Sequence, residues 1–164
     1  MVERTPMERL QPCLLNRLID DEPEAKKESR DRRVVSIQRY KAAVLFDVEN
    51  ILNSRAHPLG DDIYEFDEVA RSVLNYGIRD VCGLTISDLR AGEVESHIQH
   101  ALECFEPRIS RDSLSVRMVS SVKPGQVRSL SMEIEGRLWA QPLPDHLFFK
   151  TEVDMETGHY EFKG

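Results

Sequence analysis

The chain has 164 residues, of which 40% are hydrophobic and 31% charged, and its formal charge is −7. That length and mix describe a folded globular protein with one substantial core. The excess of acids argues against nucleic-acid binding by phosphate neutralisation, and no apolar run approaches the roughly 18 residues of a membrane span.

Residues 1–31 read as an N-terminal extension, and residues 32–164 as a single domain. In the extension Leu10, Leu14, Leu15 and Leu18 recur at helical spacing before DDEPEAKKESRD breaks the pattern. A short helix with an apolar face must find a surface, either on its own domain or on a neighbour. The opening residues carry acids and lack a continuous apolar stretch, so a secretory signal is not expected. The basic cluster KKESRDRR (26–33) is diluted by its own acids and reads as solvated. Three widely spaced cysteines, Cys13, Cys82 and Cys104, without a C-x-x-C, fit a reducing compartment.

From Arg32 to Arg55 the apolar residues Val34, Ile37, Val44, Leu45, Val48, Ile51 and Leu52 follow the spacing of an amphipathic helix. HPLGDDIYEF (57–66) is a turn-rich loop. Phe66 and Asp67 then resemble a staple and cap for a second helix carrying Val69, Ala70, Val73 and Leu74, with Gly77 as its stop. A third helix is expected from about Gly92 to Phe105, with Val94, Ile98, Ala101, Leu102 and Phe105 on one face. Pro107 disfavours a helical conformation at Glu106, so that helix ends there.

Beyond Pro107 the period changes from helical to alternating. Leu114, Val116, Met118 and Val122 alternate with polar residues, and Lys123-Pro124-Gly125-Gln126 suits a type II turn. Leu130, Met132, Ile134, Gly136 and Leu138 point one way, with Ser131, Glu133, Glu135 and Arg137 opposite. WAQPLPDH is broken by prolines; FFKTEVD, METG and HYEFK then make a terminal hairpin. The fold class is therefore α+β: three main helices packed on one face of a small antiparallel sheet that ends in a C-terminal hairpin.

Catalytic and metal chemistry find little purchase. His97 and His100 with Glu93 have helical spacing for a metal, but they lie beside or away from the apolar stripe and read as a solvated face. Glu103 and Asp112 bracket the third helix's end, yet neither sits in an apolar context that would suit a general acid. No Gly-rich phosphate loop, no G-x-S-x-G and no cysteine with a placed histidine is present. No cofactor, no metal and no catalytic residue is expected, and binding is the better class. The alternative is a muramidase-like glycoside hydrolase acting on peptidoglycan, which would need two carboxylates across a cleft.

The residues also carry a resemblance. PCLLNRLIDDEPE (12–24), DVENILNSR (47–55), EVARSVLNYGIRDVCG (68–83), Glu106-Pro107-Arg108 after a helix, and KTEVDMETGHYEF (150–162) occur in one order. Together they resemble the TssE family, baseplate subunits of the bacterial type VI secretion system, which is similar to the small wedge protein of contractile phage tails and carries a historical lysozyme-like label. Phe46 and Asn50 stand where the family pattern has arginine and tryptophan, and Asn16 where it has aspartate.

The resemblance implies a structural, non-enzymatic subunit with the baseplate proteins TssF, TssG and TssK and the sheath proteins TssB and TssC as partners. It implies a cytoplasmic location, in a baseplate docked at the inner membrane of a Gram-negative bacterium, without membrane insertion. Partner contacts are expected at Glu106, Pro107 and Arg108, and at Leu14, Leu15, Arg17 and Leu18. In an extended segment Glu106 and Arg108 would project to one side as a polar grip. Pattern alone makes Lys150, Glu152 and Lys163 guards of the last sheet edge; the resemblance turns that edge into a site for a partner's strand.

Overall fold

The structure is a computed structural model, and it describes residues 18, 23–24, 36–58, 60, 62–82, 91–119, 129–139 and 145–163. Leu14, Leu15, Arg17, Val122, the turn expected at 123–126 and most of the N-terminal extension lie outside these residues.

Helix α1 spans Ile37–Leu52 and buries Tyr40, Val44, Val48, Ile51 and Leu52. Its start is fixed by Ser36, whose side chain accepts from the Arg39 backbone N–H at 3.2 Å, satisfying a donor that the first helical turn leaves open. Val44, Val48, Ile51 and Leu52 of the expected stripe are buried, Ile37 and Leu45 pack half-buried against them, Tyr40 is an added member, and Val34 lies outside the described residues.

The second helix is shorter than its pattern suggests. Only Asp67–Ala70 (α2) is α-helical, and a 3₁₀ turn follows at Val73–Asn75. Ser72 accounts for the break: its hydroxyl donates to the Val69 carbonyl at 2.7 Å and accepts from the Leu74 N–H, which offers the backbone an alternative to helix. Phe66 is 60% exposed and does not staple the helix, and Val73 and Leu74 face outward. Gly77 has φ +116° in a tight crossing, where a Cβ would come within 2.3 Å of the Ser54 carbonyl oxygen.

Helix α3 spans Ala91–Phe105. The chain then enters a four-stranded antiparallel meander in the order β1 (Ser115–Val119), β2 (Ser129–Leu138), β3 (Asp145–Asp154) and β4 (Tyr160–Lys163). β2 and β3 pair along their whole length, from Ser129 opposite Asp154 to Leu138 opposite Asp145. That register aligns Leu130, Met132 and Ile134 with Val153, Thr151 and Phe149 on the inner face, and these are all buried. The outer face carries Glu133 opposite Lys150 and Arg137 opposite His146. α1 and α3 cover the inner face, with α3 against β1 and α1 reaching β4. Gly136 faces inward beside Ile109, and a Cβ there would meet Ile109 Cγ2 at 2.7 Å. The fold is α+β, with helices on one side of the sheet and a C-terminal hairpin.

Candidate functional site: the helix-to-sheet junction

Where α3 meets the sheet, the chain makes a tight turn rather than an extended segment. The Glu106 N–H still donates to the Leu102 carbonyl, and the Ile109 N–H donates back to the Glu106 carbonyl at 3.2 Å. Glu106, Pro107, Arg108 and Ile109 are thus the four residues of a β-turn, with proline at its second position, where a fixed φ is favourable. After the turn the backbone sews itself to the end of β2. The Ser110 N–H donates to the Arg137 carbonyl at 2.9 Å, and the Trp139 N–H to the Arg108 carbonyl at 2.7 Å.

Glu106 and Arg108 pair, as their spacing suggested, but the pair is turned into the protein. The Glu106 side chain is 1% exposed and that of Arg108 18%. Arg108 Nε–H donates to Glu106 Oε1 at 2.6 Å, Nη2 donates to Glu106 Oε2 and to Asp47 Oδ2, and the Arg108 backbone N–H donates to Oε1 at 3.1 Å. The outward grip expected of Glu106 is therefore corrected: its carboxylate is an internal anchor. The cause is the turn, which folds Arg108 back over Glu106, and Asp47, which meets the same guanidinium from α1. A glutamate beside the carbonyl end of a helix would be unfavourable alone. Here a bidentate guanidinium takes up its charge.

The electrostatics follow this geometry. Burial by itself pulls the Arg108 pKa down, but the hydrogen bonds and charges of Glu106 and Asp47 outweigh it and hold the guanidinium protonated above its ordinary range. The Tyr40 hydroxyl, which donates to the Trp139 carbonyl at 3.2 Å, has its pKa raised by burial, with Arg108 opposing and Glu106 adding. Tyr76 packs edge-to-face on Phe105 with centroids 5.1 Å apart, and its pKa is raised by burial, then by Asp47 and Glu106. Arg108 Nη1 is buried and has no hydrogen-bond partner among the described residues. Pro107 is exposed, and Trp139, two-thirds exposed, is bonded to the same turn through its backbone.

The two rims of the sheet are capped by side chains. On the β1 rim the Met118 N–H donates to Glu95 Oε1 of α3 at 2.6 Å. On the β4 rim Asn53, just past α1, accepts from the Tyr160 N–H at 2.9 Å and donates to the Tyr160 carbonyl at 3.0 Å, as a neighbouring strand would. β4 is short: it pairs with residues 150–153 of β3, and among the described residues no strand pairs with 145–149 on that side. Because the backbone N–H and C=O of Tyr160 face Asn53 and away from β3, alternation turns the backbone of Glu152 and Lys150 toward β4 and that of Phe148 to the same side.

The remaining sequence candidates do not gather at a reactive site. Glu103 accepts from Gln99 Nε2 at 3.1 Å, and Asp112 is exposed in the 3₁₀ turn Arg111–Ser113. His100 Nε2 lies 3.6 Å from Cys104 Sγ. Among the described residues, no three His, Cys, Asp or Glu side chains come together as metal ligands do, and no helix is long and apolar enough to cross a membrane. A small pocket at the β3–β4 turn is lined by Asn53, Arg55, Asp80 and His159; Arg55 bridges Asp80 at 3.2 Å. Leu18, one residue of the expected N-terminal contact, is 72% exposed.

The family described as baseplate wedge protein gp25 matches residues 38–143, from α1 through β2 and across the whole junction. The chain belongs to the family of baseplate wedge protein gp25. Its role is accordingly that of a structural component of a phage-like baseplate, working beside other baseplate components. No curated protein and no solved structure gives a significant match. Asp47, the third member of the junction's charge cluster, lies within the matched span but was missed in the sequence, where it reads as one more polar position of an amphipathic helix. Its signal was present: seven residues, close to two helical turns, separate it from the buried Tyr40.

Proposed function

We propose that this protein is a non-enzymatic baseplate subunit of a bacterial type VI secretion system that links the baseplate wedge to the contractile sheath and helps to initiate sheath assembly. Its partners in this reading are TssF, TssG and TssK in the wedge and TssB and TssC in the sheath, on the cytoplasmic side of the inner membrane of a Gram-negative bacterium. The observation that carries it is the family match over residues 38–143, joined to the ordered motifs that extend to residue 162.

Two structural features support the reading. At the junction, Pro107 is exposed at the corner of the turn, which the internal Glu106–Arg108 pair holds in shape from beneath. The N-terminal residues Leu14, Leu15, Arg17 and Leu18 supply a second contact with the wedge. At the β4 rim, the uncovered stretch of β3 offers backbone groups to a partner strand, and strand addition draws its affinity from such groups. Several modest contacts of this kind become durable by multivalency in a symmetric particle.

The test is to isolate baseplate–sheath particles from the producing cell and follow this chain. Pro107→Lys alters the outward corner of the turn while leaving the internal ion pair intact, and its expected result is loss of wedge subunits with unchanged melting. Phe148→Pro removes an N–H that faces the uncovered stretch, so the wedge should assemble and the sheath should fail to grow. Normal particles from both variants, or peptidoglycan cleavage by the purified wild-type chain, would overturn the proposal.

A further inference from the structure

Between α1 and α3, the described residues include three large apolar side chains that are exposed. Val73 is 80% exposed, Leu74 67% and Phe66 60%. Large apolar side chains exposed singly are ordinary, but three within nine residues of one small folded unit are not.

The unit is held in shape from within. Asn75, 9% exposed, accepts from the His57 N–H at 3.0 Å and from the Tyr64 hydroxyl at 3.4 Å, and it donates to the Ala70 carbonyl at 2.9 Å. One buried amide thus ties together the loop before α2, α2 itself and the 3₁₀ turn after it. The same break at Ser72 that shortens α2 turns Val73 and Leu74 away from the core. Preorganised apolar anchors of this kind lose little side-chain freedom on binding.

Charge specifies the occupant. Asp62, Glu65, Asp67 and Glu68 are all exposed within residues 62–76, where Arg71 is the one Lys or Arg. A second copy of the chain would bring the same acids against them. The unit is also continuous with the junction, because Tyr76, two residues beyond Leu74, packs on Phe105 and feels the charges of Asp47 and Glu106.

We infer that Phe66, Val73 and Leu74, framed by Asp67 and Glu68, form a docking surface for a Lys/Arg-rich amphipathic segment of another baseplate subunit. This rests on the baseplate reading and adds to it a further contact face, distinct from the Glu106-Pro107-Arg108 turn and from the β4 rim. Apolar side chains of the partner cover Val73 and Leu74, and its cations meet the acids at the edge, which steers association and excludes acidic partners.

The test places the photo-crosslinking residue p-benzoylphenylalanine at Leu74 of the full chain, irradiates assembled particles, and identifies the attached peptide by mass spectrometry. The expected peptide comes from a different subunit, has more Lys and Arg than Asp and Glu, and carries apolar residues at helical spacing. Attachment to a second copy, to residues 1–35 of the same chain or to an acidic segment overturns the inference, as does particle incorporation with no crosslink. A chain absent from the particles sinks the baseplate reading and this surface with it, so the two failures are distinguishable. With the crosslinker moved to Phe66, Asp67→Lys/Glu68→Lys should cut the yield by about tenfold, because two reversed charges at the edge repel the partner's cations instead of attracting them. An unchanged yield in that variant, with melting also unchanged, overturns the charge argument.

Discussion

The protein builds acid–base pairs in two settings, the helix-to-sheet junction and the outer face of the sheet. At the junction, Arg108 and Asp47, 18% and 25% exposed, meet over a Glu106 side chain that is only 1% exposed. On the outer face of the sheet, Lys150 bridges Glu133 at 2.7 Å, with side chains 57% and 30% exposed, and His146 lies 2.8 Å from Glu135. The contacts are equally close, but they differ in what happens when one partner is removed. Water replaces a lost partner on the sheet face, and it does not reach the buried Glu106 carboxylate at the junction. Proximity is therefore a poor measure of what an ion pair does for a fold; desolvation decides. The junction cluster locks three separate elements, α1, the turn and the end of β2, into one geometry, whereas the outer pairs decorate a sheet that its inner face already specifies.

The largest break in this contrast should come from Arg108→Met. It leaves the buried Glu106 carboxylate unpaired, and the expected cost is about 3–5 kcal/mol in urea unfolding. Replacing both members, with Glu106→Met added, should return much of that loss, because the stranded charge is then gone. A double variant no more stable than the single one would show that the junction acts through packing rather than charge. Loss of assembly in Arg108 variants thus mixes folding with contact, which is why Pro107 is the better probe of the interface.

Asp47→Ala should cost less, about 1–3 kcal/mol, since Arg108 keeps its bidentate partner and loses one charged acceptor. Tyr40→Phe sharpens the contrast through pH. A raised tyrosine pKa means that the folded state keeps its proton after the unfolded chain has released it. The stability held by neutral Tyr40 is therefore full below about pH 10, the unfolded value, and falls as pH rises above it. The phenylalanine variant should lose about 1 kcal/mol at neutral pH with the hydrogen bond to Trp139, and its alkaline limb should be flatter. An identical alkaline slope in both proteins would place the titration elsewhere.

The smallest effect belongs to the outer face. Lys150→Ala should change stability by about 0–1 kcal/mol, and added salt should erase the difference. A cost comparable to that of Arg108→Met would end the comparison, because it would make the outer face part of the structural lock.

Much of the architecture was legible in the residues. The stripes of α1 and α3 and the alternation of β2 each report which side is buried, because burial follows the local period of the chain. Pro107 marked the helix stop for a reason that needs no partner. The second helix misled because Val69, Ala70, Val73 and Leu74 have helical spacing, while the hydroxyl of Ser72 and the amide of Asn75 satisfy the backbone in another way. Those bonds reach His57 and Tyr64, and periodicity cannot see them.

The candidate site divides along the same line. The sequence by itself determined that proline ends α3 beside Glu106 and Arg108, that these two share one side, and that a half-buried meander follows. Only the tertiary structure decided which way the pair faces. Asp47 lies 61 residues before Arg108, and its arrival on α1, together with the turn's own hydrogen bond, draws the guanidinium inward and leaves Pro107 outside. The physical reason is range. Backbone propensity and periodicity act over a few residues, whereas the environment that makes a charge an anchor or a contact is assembled from elements far apart in the chain.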